Sequence, residues 1–539
     1  MAATRITEKS ETSAPQSRAD PVFGSDFGSH TLRGWLARAA DAHPDKPYAV
    51  SVEDERAISY AQLRHIAEDV AAYLAARGIG ANDRVAMLAN NSLEHLALYT
   101  GVLASGATIC TIHVEMNRSH FEAILAGLSP QLLIYEEGLG FESLAARTSA
   151  PSHPLGRWNQ EGGTGFFSEI ARSAAGAATG PARPAGAPTD DAVILYTSGT
   201  SARPKGVVLN YRELLANGAS VADAFGIGSD DRIYDYRSFN WASAQLLSAL
   251  GTLSKGATLY LGRKFSRSRF FPDIGRFRIS VAAGNPTILS LLMQAPDAVH
   301  GAALPQLRFI TSSSAPLLVE EWRRFEERFG IVVAQGYGTS ETGWIAGCTE
   351  KSRRIGTVGK PLPYYRVTVM DADGRECPPG ETGEVEIGGF DGNPFRYMDE
   401  DGQIRVNAIG RTRTGDLGFI DADGYLHLTG RAKELIIRGG VNISPLEIDN
   451  LLLQFPGVAE AATIGIPDRI YGEEVLSYVV LAPGTPLTPS ELMKLCADRI
   501  AAFKSPKHIV PCASLPKTER GKLDRKALLE QWRRANPGA

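Results

Sequence analysis

The run Tyr196-Thr-Ser-Gly-Thr-Ser-Ala-Arg-Pro-Lys-Gly206 joins two apolar segments, Ala192–Tyr196 and Val207–Leu209, each of which reads as a strand. Between them lie Thr197, Ser198, Gly199, Thr200 and Ser201. Small hydroxyls on a flexible backbone suit close approach to phosphate oxygens, and Lys205 adds positive charge. This is not a Walker A loop, which needs Gly directly before the Lys, where this chain has Pro204. That loop also opens a helix, whereas Val207–Leu209 is strand-like. Taken alone, a polar Ser/Thr hairpin loop is the more economical reading of the run.

The flanking sequence supplies context. From about residue 30 to 300, helical and extended patterns alternate. Residues 60–77 carry apolar side chains at helical spacing and stop at Gly78 and Gly80. Arg84–Leu88 reads as a short buried strand, 92–105 as a helix, and Ala107–Ile112 as a further apolar run. Such alternation predicts a mostly parallel sheet covered by helices. Residues 150–190, crowded with Gly, Ala, Pro and Ser, predict a long surface excursion. From about 360 to 430, short alternating runs are punctuated by Asp371-Ala-Asp-Gly374, Asp399-Glu-Asp-Gly402 and Asp421-Ala-Asp-Gly424, as in hairpins of a β-rich subdomain. The remaining ligands of a calcium loop are missing there. After Gly430-Arg431 an α+β pattern resumes, with a boundary near Lys433. No repeat at a solenoid period is evident.

Composition narrows the class. With 539 residues, the chain exceeds one ordinary core, so two or three packed units are expected. Lys plus Arg number 56 and Asp plus Glu 60, a net charge of −4 that offers no wholesale basic surface for nucleic acid. Cys110, Cys348, Cys377, Cys496 and Cys512 lie far apart without zinc-ligand spacing, as in a reduced, cytoplasmic setting. The apolar runs break well before the roughly 20 residues of a membrane span. Residues 1–28 read as a frayed polar tail, and Asn-Pro-Gly-Ala at the end carries no prenyl or peroxisomal tag. His113 and His427 sit in apolar or alternating segments as structural residues, and no G-x-S-x-G elbow supports a hydrolase.

A second chemical signal is Gln335-Gly-Tyr-Gly-Thr-Ser-Glu-Thr-Gly343. Tyr337, between Gly336 and Gly338, offers a ring for a planar base. Thr339 offers a hydroxyl, and Glu341 is a hard oxygen ligand suited to Mg²⁺. A Gly/Thr-rich turn is the plain alternative here too. The two segments together resemble the phosphate-binding signature and the adenine- and magnesium-binding motif of the adenylate-forming superfamily, which includes acyl-CoA synthetases, non-ribosomal adenylation domains and firefly-type luciferases. Thr414-Gly-Asp-Leu417 with Gly430-Arg-Ala-Lys433 resembles its ribose and hinge motifs. Arg438-Gly-Gly-Val-Asn-Ile-Ser-Pro-Leu-Glu447 is similar to the opening of its C-terminal domain. Pro516-Lys-Thr-Glu-Arg-Gly-Lys522 resembles its catalytic-lysine motif. The match spans about residues 30–527.

The resemblance implies an α/β protein. Its large N-terminal region, 29–431, would have several subdomains, with parallel sheets, helices and a small β-barrel-like part, followed by a small mobile α+β domain over 432–539. It implies that Thr197, Ser198, Gly199, Thr200, Ser201 and Lys205 hold the ATP phosphates, while Tyr337 stacks on adenine and Thr339 touches the α-phosphate. Ser314, Ala315 and Pro316 would belong to the wall shared by adenine and acyl group. Asp416, with Arg431 nearby, would accept from the ribose hydroxyls, and Glu341 would bind Mg²⁺. Lys522 would neutralise charge as the carboxylate attacks phosphorus. Lys433 would be the hinge, and Gly439 and Gly440 would line the path of the coenzyme A thiol.

Three departures from the family pattern stand out. Ala202 replaces a frequent glycine. Asn240, in Arg237-Ser-Phe-Asn-Trp241, replaces a frequent histidine. Ser312-Ser-Ser-Ala-Pro-Leu317 stands where Gly-Gly-Ala-Pro is usual. With Trp344, the residues Asn240, Trp241, Ser312 and Ser313 are candidate linings of a compact acyl pocket. Arg237 is the candidate for a second anionic group on a short acid. The expected activity is ATP-dependent conversion of a carboxylic acid to its adenylate, then transfer to coenzyme A with release of AMP. Rival readings are transfer to a carrier-protein phosphopantetheine and a silent ATP-binding relative. The expected partners are a small acid, no nucleic acid and no inserted membrane, for a monomer or homodimer.

Overall fold

The computed structural model describes residues 31–160, 162–174, 186–197, 205–294, 299–389, 395–399, 401–407, 410–518 and 522–537. The expected tail over 1–28 lies outside them. Two sheets organise the N-terminal region. In the first, Arg84–Leu88, Thr108–Thr111, Leu132–Tyr135, Ser152–Pro154 and Asp191–Thr197 run parallel, and Lys205–Asn210 returns antiparallel beside the last of them. Val85, Ala86, Met87 and Leu88 are all fully buried, which explains why this strand is continuously apolar: helices cover both faces of a parallel sheet.

Helix Tyr60–Ala76 begins with a capping box between Ser59 and Gln62. Its Leu63, Ile66, Val70, Tyr73 and Leu74 turn inward at spacings of three and four onto helix Leu93–Ser105, which is buried along its whole length. The excursion expected over 150–190 holds more regular structure than its composition predicts. Ser152–Pro154 adds an edge strand, and helix Phe166–Ala174 drives Phe166 into Tyr73, ring centroids 5.2 Å apart. Two adjacent phenylalanines are enough to anchor a segment otherwise poor in apolar bulk.

The second sheet has seven strands in the spatial order Val333–Gln335, Phe309–Ser312, Val281–Ala282, Arg232–Asp235, Thr258–Leu261, Pro47–Ser51 and Ala57–Ser59, parallel except for the last pair. The β-rich region contributes a four-stranded antiparallel sheet of Arg366–Met370, Gly383–Gly388, Arg411–Ile420 and Leu426–Arg431. The three acidic turns share one chemistry. In each, the first aspartate's Oδ1 accepts from the backbone N–H groups two and four residues on, at 2.8–3.0 Å. The middle turn, however, does not belong to that sheet. The hairpin Phe395–Met398 with Ile404–Asn407 crosses over and pairs with Lys205–Asn210, extending the first sheet to eight strands.

Beyond Arg431, a 3₁₀ turn, Ala432–Glu434, leads into a smaller C-terminal domain. Its five strands and the helices Pro445–Leu453, Pro489–Ala497 and Arg525–Ala535 enclose a separate core around Ile436, Ile443, Leu452, Val475 and Val479. Among the described residues, no helix is long and apolar enough to cross a membrane. All five cysteines are unpaired thiols.

Candidate active site

Strand Val333–Gln335 ends the second sheet, and the chain turns at once into an antiparallel pair, Tyr337–Thr339 with Gly343–Gly347. The turn is possible because two positions lack a side chain. A Cβ on Gly336 would stand 2.7 Å from the Trp344 ring and 2.8 Å from Phe225, and one on Gly338 would collide with the Gly343 carbonyl. Tyr337 donates from its hydroxyl to Asp416 Oδ2 at 2.6 Å, and Arg431 donates from Nε to Asp416 Oδ1 at 2.8 Å. Asp416 and Arg431 face each other across adjacent strands, so register alone sets the pair. Burial, and then the Asp416 carboxylate, pushes the Tyr337 phenol far above its ordinary range, which keeps it a donor. Each Asp416 oxygen retains a lone pair after these two bonds, so two further acceptor positions remain for hydroxyls of a bound sugar.

The Thr339–Glu341 corner is held from behind by residues that sequence reasoning did not single out. Thr342 is fully buried, and its Oγ1 lies 3.0 Å from Thr339 Oγ1. Its carbonyl accepts from the Tyr365 hydroxyl at 2.5 Å. Asn217 donates to the Trp344 carbonyl at 2.7 Å and accepts from the Trp344 N–H at 3.1 Å. A buried asparagine among the apolar positions of helix Tyr211–Ala224 was the available signal. Glu341 itself is partly exposed at this corner, which fits a hard oxygen donor for Mg²⁺.

Part of the candidate acyl wall is joined by direct contacts. Gly336 donates its N–H to the Ser312 carbonyl at 2.9 Å, Gly336 abuts Trp344, and the Trp344 indole donates to the Ser243 carbonyl at 3.3 Å. Trp241 stacks on His113 with centroids 5.1 Å apart, and Asn240 donates to the Ala89 carbonyl at 3.0 Å. Ser314, exposed beside the wall, adopts φ +72°. This is a left-handed conformation that glycine takes freely and serine takes at a cost on the order of 1 kcal/mol. Several buried polar atoms of these segments have no partner among the described residues: Arg237 Nη1, Asn240 Oδ1, Gln245 Oε1, Ser312 Oγ and Ser313 Oγ. A pocket of about 410 Å³ is lined by Ser220, Cys348, Lys360 and Tyr425 and includes none of the candidate wall residues.

Arg237, the candidate for a second anionic group, has an internal partner. Its guanidinium is buried and bound to Asp235, with Nη2–Oδ2 at 2.7 Å and Nε–Oδ1 at 3.0 Å, while Ser248 donates to the same carboxylate at 2.5 Å. Nε and Nη2 are thus engaged by Asp235, while Nη1 is buried without a partner among the described residues. Breaking the pair leaves an uncompensated buried charge, so Asp235→Ala is expected to lower stability by about 3–5 kcal/mol. An unshifted urea midpoint in that variant would refute the assignment.

The other expected residues lie as follows. Ser198, Gly199, Thr200 and Ser201, and the side chain of Thr197, lie outside the described residues. Lys205 is exposed and faces Thr197 across the strand pair. Ala315 and Pro316 follow Ser314 toward the next helix. Lys433 is exposed in the 3₁₀ turn between the domains. Gly439 and Gly440, at φ +57° and +83°, form the exposed tip of the hairpin Ile436–Ile443. Lys522 is exposed on a hairpin closed by the Lys517–Leu523 bridge and by Thr518, whose N–H donates to the Lys522 carbonyl at 2.7 Å.

Comparison with known proteins adds three findings. A family model described as AMP-binding enzyme matches residues 36–391, and one described as AMP-binding enzyme C-terminal domain matches 447–522. The chain is 34% identical over 518 residues to a sulfoacetate–CoA ligase of Cupriavidus necator, covering 93% of this chain and 97% of the relative. It is 30% identical over 512 residues to an oxalate–CoA ligase of Arabidopsis thaliana, covering 94% and 99%. Among solved structures, ATP-bound MatB from Rhodopseudomonas palustris superimposes with a TM-score of 0.79 at 28% identity, covering 93% of this chain and 99% of that one.

Proposed function

The chain belongs to the AMP-binding enzyme family and is an acid–CoA ligase of the AMP-forming kind, and on that premise we propose that it activates a short, polar carboxylic acid in two half-reactions. In the first, a carboxylate oxygen attacks the α-phosphorus of ATP, and the bond to pyrophosphate breaks. In the second, the coenzyme A thiolate attacks the acyl carbonyl, and AMP leaves. Tyr337, Asp416 and Arg431 hold the nucleoside, Thr339 and the run Thr197–Lys205 hold the phosphates, and Lys522 offsets the charge that builds on the α-phosphoryl group. Glu341 would hold Mg²⁺, whose charge screens the triphosphate.

The observation that carries the choice of acid is the pair of buried hydroxyls on Ser312 and Ser313, which have no partner among the described residues and can donate. Buried polar atoms in a folded protein are nearly always paired, and leaving one unpaired costs about 1–3 kcal/mol. The Ser312 and Ser313 hydroxyls can donate to a second oxyanion head, which an alkyl chain does not offer, whereas the Asn240 and Gln245 amide oxygens accept only and would pair with a hydroxyl on the acid. The buried Trp344 and the stacked Trp241 limit the depth available to a long chain. Relatives named for sulfoacetate and oxalate are consistent with an acid of that size.

The test is pyrophosphate release with ATP and Mg²⁺ across short doubly polar, aromatic and long-chain acids, each with and without coenzyme A. Short doubly polar acids should exceed long-chain acids by at least about a hundredfold in kcat/KM, since a site built for polar groups rejects analogues that lack them. A preference for long-chain acids would refute the polar reading. Release without thioester formation, unless a carrier protein is supplied, would reassign the acceptor.

A further inference from the structure

Helix Val319–Phe329 leaves the acyl wall just after Pro316 and runs to the C-terminal domain. It turns Trp322, Phe325 and Phe329 into the N-terminal core. Its other side meets the second domain through groups of definite geometry. Arg324 donates from Nη1 to the Val458 carbonyl at 2.9 Å and from Nη2 to the Leu453 carbonyl at 2.5 Å. Glu320, one turn earlier, accepts from Arg324 Nε at 3.2 Å and fixes the fork. The Val319 N–H donates to Asn450 Oδ1 at 3.0 Å, and Leu318 packs on the C-terminal core. The Leu453 carbonyl belongs to the last turn of helix Pro445–Leu453, where unpaired carbonyls carry partial negative charge and favour a cation. A planar guanidinium bridging two carbonyls on different elements sets orientation as well as distance.

The same helix faces the base of the hairpin that carries Lys522. Lys517, in that hairpin, pairs with Glu460 at 3.3 Å, and both stand near Glu321. Burial, with the Glu460 carboxylate adding to it, pushes the Glu321 carboxyl up to about 7, while Lys517 and Arg324 pull the other way.

We propose that helix Val319–Phe329 is the seat of the C-terminal domain during adenylate formation, and that Arg324 is the positioning residue whose two carbonyl contacts hold the Lys522 hairpin in place. The proposal rests on the two-half reaction above, because in this seated arrangement Gly439 and Gly440 face solvent. The domain must therefore unseat before the thiol can be delivered. Glu321 then opposes seating once ionised. Its contribution is present at low pH, below its ordinary range, and is lost as pH rises through about 7.

The experiment measures the two half-reactions separately in the full chain. In Arg324→Ala, pyrophosphate exchange should fall about tenfold, while coenzyme A-dependent AMP release from a supplied acyl-adenylate stays level or rises. Arg324→Lys, a single-point donor, should recover only part of the exchange. Trypsin cleavage at Arg431 and Lys433 should quicken in Arg324→Ala, and Glu321→Gln should slow it above pH 7. Equal losses in both half-reactions with unchanged linker cleavage would overturn the proposal. If no acid is activated by the unsubstituted protein, the two-half reading fails on its own, and cleavage rates still decide the seat: equal rates in both proteins refute it.

Discussion

Lys522→Ala is expected to abolish adenylate formation, a loss on the order of 10²–10³-fold in pyrophosphate release, while ATP binding survives. The reasoning begins with charge. As a carboxylate approaches a triphosphate, two anions converge, and the pentacoordinate α-phosphoryl group concentrates charge that water would otherwise solvate. A lysine from outside the nucleotide cleft can meet that charge only when its domain is seated, so its loss should fall on the chemical step. In the proposed site, binding would rest on Tyr337, Asp416, Arg431 and the phosphate run, none of which shares an element with Lys522. Equilibrium dialysis with ATP and a release assay with the preferred acid separate the two effects. Wild-type release from Lys522→Ala would remove its assigned role.

Asp416→Ala should do the reverse, raising the KM for ATP on the order of a hundredfold with a smaller change in kcat. One carboxylate holds both the Tyr337 hydroxyl and the Arg431 guanidinium. Hydrogen bonds to a charged group contribute about 1.5–3 kcal/mol each. Losing the ones made to the ribose is thus expected to cost roughly 3 kcal/mol, or about a hundredfold. The variant also leaves the buried Tyr337 hydroxyl without its acceptor, and Asp416→Asn, which keeps the shape and one acceptor oxygen, should retain part of the affinity. ATP affinity unchanged in Asp416→Ala would exclude this carboxylate from the nucleotide site.

The parallel-sheet strands and their helices were legible because their burial is continuous: Val85–Leu88 is wholly apolar, and Leu93–Ser105 is mostly apolar, with Glu94, His95, Thr100 and Ser105 as buried polar exceptions. What escaped reading is non-local. Nothing in the composition of 395–407 says that its hairpin pairs with Lys205–Asn210 rather than with its sequence neighbours, since both registers would bury Phe395 and Met398. The internal partner of Arg237 lies only two residues earlier. The strand ends at Asp235, and the bend that follows brings the Arg237 guanidinium back onto that carboxylate, which an i, i+2 Asp–Arg spacing alone does not announce. Asn217 and Thr342 come from segments more than a hundred residues apart and meet only in the folded chain.

The crossing hairpin also bears on how the protein is made. Strand Lys205–Asn210 emerges from the ribosome with one edge paired to Asp191–Thr197, but its other edge waits for Phe395–Met398. At synthesis rates of about 5–20 residues per second, that interval is roughly 10 to 40 seconds, during which a row of backbone donors and acceptors lies open beside Val207 and Val208. The nascent chain thus passes through a period in which another unfinished copy on the same message could add its own strand. Completion of the hairpin closes that window, so slow decoding between codons 210 and 395 should cost yield before it costs activity.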